Sequence, residues 1–208
     1  MTSSLNSMNM ALRALGRKLC RFASERRGVA AVEFAIIAPL LLSLYLVTME
    51  VGQGIEINKK VGRVGSMVAD LVTQQQTISR SELNAILSIG EAILQPYNRS
   101  RPTIVITAIQ ITDENNPRTQ VVWSRKIQDG VTAVGPARNS LTTVPDQLKI
   151  RNTFLIRVES QLAYEPVITY TVEQKGALGL AAAFDGIGMN EVYYLRPRMS
   201  PTIPCGDC

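Results

Sequence analysis

The chain has 208 residues, 46% of them hydrophobic and only 5% aromatic, with three cysteines and no histidine. Without an imidazole, a Ser-His-Asp triad, a Cys-His pair, a His-ligated zinc and a histidine pH switch are all excluded. The net charge of +5 is carried by residues 1–28 alone, where Arg13, Arg17, Lys18, Arg21, Arg26 and Arg27 face a single Glu25; residues 29–208 hold 16 basic and 16 acidic side chains. A short basic arm ahead of an apolar run is a membrane topology signal, so no nucleic-acid partner is expected.

In that arm Met8, Leu12, Leu15, Leu19 and Phe22 step by three and four while Arg13, Arg17 and Arg21 share another face. The spacing predicts a short basic amphipathic helix. It reads either as a leader lying on the anionic cytoplasmic leaflet or as a topology determinant with no structure of its own. Organellar presequences are seldom followed at once by a membrane anchor, and Arg26-Arg27 lacks the wider context of a twin-arginine signal. The apolar run covers residues 29–51 and is free of charge over residues 34–49. About 20 such residues in a helix span the roughly 30 Å hydrocarbon core. No A-x-A cleavage pattern follows the run, so the segment is read as retained, with the amino terminus in the cytoplasm and the bulk of the chain outside.

Glu33 is the anomaly of this run, because a carboxylate in hydrocarbon needs a partner. Taken alone it also reads as a surface glutamate that snorkels to water or pairs with Arg27. Its context is Arg26-Arg27-Gly28 followed by Val29-Ala30-Ala31-Val32-Glu33-Phe34, with Pro39 further along the apolar helix. This string resembles the prepilin-peptidase site of type IV pilin-like proteins and, more specifically, the TadE-like family of minor pseudopilins of the tight adherence (Flp) pilus. The likeness is strongest over residues 26–70, with a weaker echo in Tyr194-Leu195-Arg196-Pro197-Arg198, Ile203 and Cys205. The resemblance implies an inner-membrane precursor cleaved after Gly28 and a periplasmic carboxyl-terminal domain. It also implies a role in pilus assembly and surface adhesion, and partners among the prepilin peptidase, other pilins and pseudopilins, the assembly platform and the lipid membrane. Cleavage would free the α-amino group of Val29, about 6 Å along the helix axis from Glu33. Glu33 would then meet an amine of its own chain or of a neighbour, while Phe34 and the following apolar residues supply packing surface. Pro39 removes a backbone hydrogen bond and either kinks the helix to help subunits pack or is a tolerated bend. The length beyond the long helix points to a larger, minor member rather than a major pilin.

Ile57, Val61, Val64, Val68 and Leu71 continue the helical pattern, and Glu56 and Lys60 form an i, i+4 pair. A helix over 29–73 is expected, about 68 Å long, with its outer half laying one stripe on a globular domain. Residues 73–77 form a polar break. Ser81 is then expected to cap a helix over residues 82–94, offering Leu83, Ala85, Ile86, Leu87 and Ile93 to a core before Pro96 ends it. Strand-like runs cover residues 103–112, 120–127, 153–164, 167–172 and 191–196. Residues 113–117 form a hairpin loop, residues 129–145 read as loop, and residues 176–188 as loop or short helix. The expected class is α+β: a long N-terminal transmembrane helix continuing into a pilin-like domain with a second helix and an antiparallel β-meander. The organisation is 1–28 leader, 29–51 membrane helix, 52–73 helix continuation and 74–208 extracytoplasmic domain.

Cys20 belongs to the leader and is expected to stay reduced. Cys205-Gly206-Asp207-Cys208 is a C-x-x-C motif. A redox pair normally opens a helix after a strand, and a zinc site needs two more ligands, so a small closing disulfide between Cys205 and Cys208 is expected and no metal. Acidic residues elsewhere are scattered, and no glycine-rich phosphate loop occurs. The expectation is therefore a non-enzymatic protein without cofactor or small-molecule substrate. The other class of function that fits is an uncleaved signal-anchored scaffold or receptor.

Overall fold

The computed structural model describes residues 28–94, 97, 99–166 and 187–208. The predicted amphipathic leader, the strand over 167–172 and most of the stretch over 176–188 lie outside them. The chain divides into two compact units, Met1–Met49 and Glu50–Cys208. Helix α1, Val29–Thr73, runs through the boundary as a single element, unbroken at Pro39.

The described part of the first unit is helix with no buried residue; Phe34, Leu40 and Ile36 are each about 70% exposed. A helix apolar on all sides is suited to lipid rather than to one core face. Its two aliphatic hydroxyls are satisfied inside the helix, with Ser43 Oγ donating to Leu40 O and Thr48 Oγ1 to Tyr45 O, each at 2.8 Å. Such back-bonding spares both groups an unpaired donor in hydrocarbon. By length and composition it is one helix able to cross a membrane, near the N-terminus.

In the second unit α1 becomes one-sided. Ile57, Val61, Val64, Val68 and Val72 are buried along one stripe, and Leu71 packs at its margin. Helix α2, Arg80–Ile93, starts earlier than the sequence reading placed it. Its cap is Ser79, not Ser81, because Glu82 stands three residues on. The Glu82 N–H donates to Ser79 Oγ (3.3 Å) and the Ser79 N–H to Glu82 Oε2 (2.8 Å), a reciprocal capping box. The Ser79 hydroxyl, which also donates to Glu82 Oε2 at 2.8 Å, and after it the Ser79 N–H hold the Glu82 carboxyl below the ordinary range. Leu83, Ile86 and Leu87 enter the core, whereas Ala85 is exposed. At 100° per residue, Ala85 points nearly opposite Leu83 and Leu87.

Among the described residues five antiparallel strands follow: β1 Thr103–Ile111, β2 Thr119–Gln128, β3 Val131–Ala133, β4 Phe154–Tyr164 and β5 Ile187–Leu195, in the order β3-β2-β1-β4-β5. The β1, β2 and β3 strands form the expected meander. The chain then crosses to the far side of β1, so that β4 pairs with β1 and β5 with β4. Strand β3 lies inside the stretch read as loop. Asp129 and Gly130, both at positive φ (54° and 78°), make the two-residue hairpin turn that creates it. The last strand begins at Ile187 rather than near Glu191 and pairs with β4 along its whole length.

One sheet face, built on Ile104, Ile106, Ala108, Trp123, Ile156 and Val158, packs with the helix residues in the main core. On the other face Ile109, Ile111 and Leu155 are covered by Val144 and Leu148 of the β3–β4 connection. Buried Arg157 fastens that connection by donating to Thr142 Oγ1 (2.8 Å) and Thr143 O (3.2 Å). The carboxyl-terminal segment is docked too. Ile203 is fully buried, its carbonyl accepts from Trp123 Nε1 at 2.7 Å, and Pro204 O accepts from Ile78 N at 3.1 Å.

The glycines of α1 separate two environments and give a test. A Cβ on Gly65 would stand 2.8 Å from both Ser160 Oγ and Tyr193 Cδ2, whereas one on Gly52 meets nothing within 4 Å. Alanine favours a helix over glycine by about 1 kcal/mol. Gly52→Ala is therefore expected to stabilise, while overpacking turns Gly65→Ala into a loss of about 1–3 kcal/mol. Thermal unfolding followed by circular dichroism reads both signs; a stabilised Gly65→Ala would contradict this helix–sheet contact.

Candidate functional site

The residues singled out for processing and assembly lie on the first three turns of α1. Gly28 immediately precedes the helix and is exposed, and a side chain there would meet no atom within 4 Å. Val29 opens the helix half exposed, Glu33 is exposed, and Phe34 is 71% exposed. Four residues make 400° of helix rotation, so Val29 and Glu33 share a face, about 6 Å apart along the axis. In a chain cut after Gly28, the Val29 amine and the Glu33 carboxylate would share that face. Among the described residues Glu33 makes no ion pair; Arg27, the alternative partner, lies outside them. Pro39 is exposed one and a half turns further on.

At the opposite end of the chain, Cys205 and Cys208 are joined by a disulfide, with Cα atoms 5.6 Å apart. The loop they close is held against the start of α2, where the Arg80 N–H donates to Asp207 Oδ1 at 2.8 Å and the Arg80 guanidinium reaches Asp207 O. Cys205, Asp207 and Cys208 bring three potential metal-ligand atoms within 4.8 Å. Two of those atoms are bonded to each other, so they are not thiolates available to a metal.

A third cluster was not anticipated from sequence. Glu50, the first charged residue after the charge-free stretch over residues 34–49, is buried, and Tyr164 donates its hydroxyl to Glu50 Oε1 at 2.6 Å. The Tyr164 ring stacks on Tyr97, with centroids 5.8 Å apart, and Arg99 lies over Tyr97 at 5.9 Å. The Tyr97 hydroxyl accepts from Glu165 N at 2.7 Å. The only local signal was Glu50 ending the run; nothing in the sequence couples it to a tyrosine 114 positions away.

Burial, and after it the bond to Glu50, pushes the Tyr164 hydroxyl well above the ordinary phenol range. The folded chain therefore keeps a proton that the unfolded chain releases near pH 10, so this component of stability is full below that pH and is lost as pH rises further. Tyr164 is expected to ionise in a late phase, well above the ordinary phenol range, in an absorbance titration at 295 nm. Tyr164→Phe should delete that late phase; an unchanged titration would refute the assignment.

Residues 28–58 match a family model described as TadE-like protein. No protein of curated function and no solved structure matched the chain. The matched segment opens on Gly28 and contains Val29, Glu33, Phe34, Pro39 and Glu50; its TadE-like character associates the chain with Tad/Flp pili.

Proposed function

We propose that this protein is a minor pseudopilin of a tight adherence pilus. On this reading it is made as an inner-membrane precursor with its amino terminus in the cytoplasm, cut after Gly28 by a prepilin peptidase, and used without catalysis of its own in assembling the pilus. The carrying observation is the coincidence of three features over one short segment. The TadE-like match starts at Gly28, the helix starts at Val29, and the first 21 residues of that helix leave their apolar surface uncovered by the chain's own core. A helix of that composition is stable in lipid, and in a filament it can bury the same surface against its neighbours. The Glu33 carboxylate supplies register, since it is satisfied only where an amine comes within reach.

In this scheme the second unit is the exported domain that remains on the outer side after the amino-terminal arm is removed. The prepilin peptidase, sibling pilins or pseudopilins, the assembly platform and the membrane are its partners. The test is the amino-terminal residue of the membrane-bound chain, determined by mass spectrometry with and without the prepilin peptidase. A mature start at Val29 that vanishes with the peptidase is the expected result. An intact arm in both strains would overturn the proposal in favour of an uncleaved anchored scaffold or receptor.

A further inference from the structure

A groove of about 300 Å³ lies beside the first turns of α1 in the second unit, lined by Gln53, Glu56, Ile57, Lys60, Tyr97 and Arg99. Its charged lining is two cations, Lys60 and Arg99, against one carboxylate, Glu56. Lys60 pairs with Glu56 at 3.1 Å, but the Glu56 side chain is two-thirds exposed, so this is a surface pair that a competing anion exchanges readily. Arg99 is held in place: its Nη1 donates to Glu165 O at 3.2 Å and its guanidinium rests over Tyr97, which is stacked on Tyr164. The groove therefore combines one mobile cation, one preset cation, the Gln53 amide and an apolar floor at Ile57.

Its height along α1 identifies the occupant. Gln53 and Lys60 follow Glu50 by three and ten residues, about 4.5 and 15 Å of helix rise, and Glu50 directly follows the charge-free run. The polar headgroup layer is about 5–8 Å thick on each side of the hydrocarbon. Helix side chains lean toward the amino terminus, here toward the apolar run, and a lysine stem extends that reach. Tyrosine at this level matches the interfacial preference of its amphipathic ring. We propose that the groove binds the phosphodiester headgroup of an anionic phospholipid. Lys60 and Arg99 clamp the phosphate, and Gln53 donates a hydrogen bond. The site rests on reading residues 29–51 as a membrane span.

The experiment is native mass spectrometry of the full-length chain, released from detergent after incubation with phosphatidylglycerol or phosphatidylcholine of identical acyl chains. The wild type is expected to retain phosphatidylglycerol about fivefold or more over phosphatidylcholine, the scale of one to two interfacial cations. K60Q/R99Q should bring that preference close to parity, K60R/R99K should restore it, and R138Q/R196Q, exposed cations elsewhere, should leave it unchanged. Circular dichroism melting of each variant guards against unfolding. Equal retention of the two lipids by the wild type, or an undiminished preference in K60Q/R99Q, overturns the site. So does a change in self-cross-linking without a change in lipid preference, which would assign the groove to a second copy of the chain. Recovery of the cellular protein in the soluble fraction would instead refute the membrane span itself.

Discussion

Gly28→Asp is expected to leave a single long, unprocessed form in cells that carry the prepilin peptidase, and to abolish piliation. The structure makes this substitution unusually clean. Gly28 is exposed and a Cβ there meets nothing within 4 Å, so the fold of this chain has no need of a glycine at that position. A loss of cleavage with an unaltered melting profile then belongs to the protease, whose subsite a side chain would obstruct, and not to misfolding. Glu33→Ala separates the next step. It removes a carboxylate whose burial in hydrocarbon is unfavourable when unpaired, so membrane insertion should be intact and cleavage normal. The variant should nonetheless fail to restore pili, because the amine of Val29 loses the one acid on its face of the first two turns. Immunoblots of precursor and mature forms beside electron micrographs of the cells read both steps. Processed Gly28→Asp, or full piliation by Glu33→Ala, would remove the corresponding role.

The largest stability effect is expected at Trp123, the only tryptophan of the chain. It is 3% exposed in the main core, and its indole N–H is the donor to the buried carbonyl of Ile203. Trp123→Ala combines a large cavity with an orphaned acceptor and should cost about 3–5 kcal/mol. Trp123→Phe keeps most of the volume and loses the donor, for about 1–3 kcal/mol. For a domain of this size the alanine variant should melt roughly 10 °C lower. Far-UV circular dichroism is the readout, since the fluorophore itself is removed. A shift under about 3 °C would mean that the carboxyl-terminal segment is not held by this contact.

Much of the local structure was legible in the sequence because its causes are local. The α1 helix was read as 29–73 and is Val29–Thr73, since a charge-free apolar run passes without a break into a three- and four-residue stripe. The strands containing Ile104 to Ile111 and Phe154 to Tyr164 declared themselves by β-branched residues and alternation. Two of the local errors also had local signals. Ser79 and Glu82 carry the S-x-x-E spacing of a capping box, and Asp129-Gly130 is a hairpin turn dipeptide that was absorbed into a loop.

The residues proposed for processing and assembly stand apart, because their pattern is wholly local. Gly28, Val29, Glu33 and Phe34 form a linear string at the exposed start of a helix, where no distant part of the chain is needed to bring them together. The sequence by itself therefore specified the amino-terminal arm, the apolar helix with its misplaced carboxylate, the α+β class and the short spacing of Cys205 from Cys208. Only the tertiary structure decided that β4 pairs with β1, that Ile203 is a core residue beneath Trp123, and that Glu50 is joined to Tyr164. Alternation assigns a strand's two faces but not its neighbours, and a lone isoleucine or tyrosine has no period. Contacts between residues 80 or 114 positions apart are chosen by which packing buries the most apolar surface while satisfying each buried polar group, a condition that belongs to the whole domain.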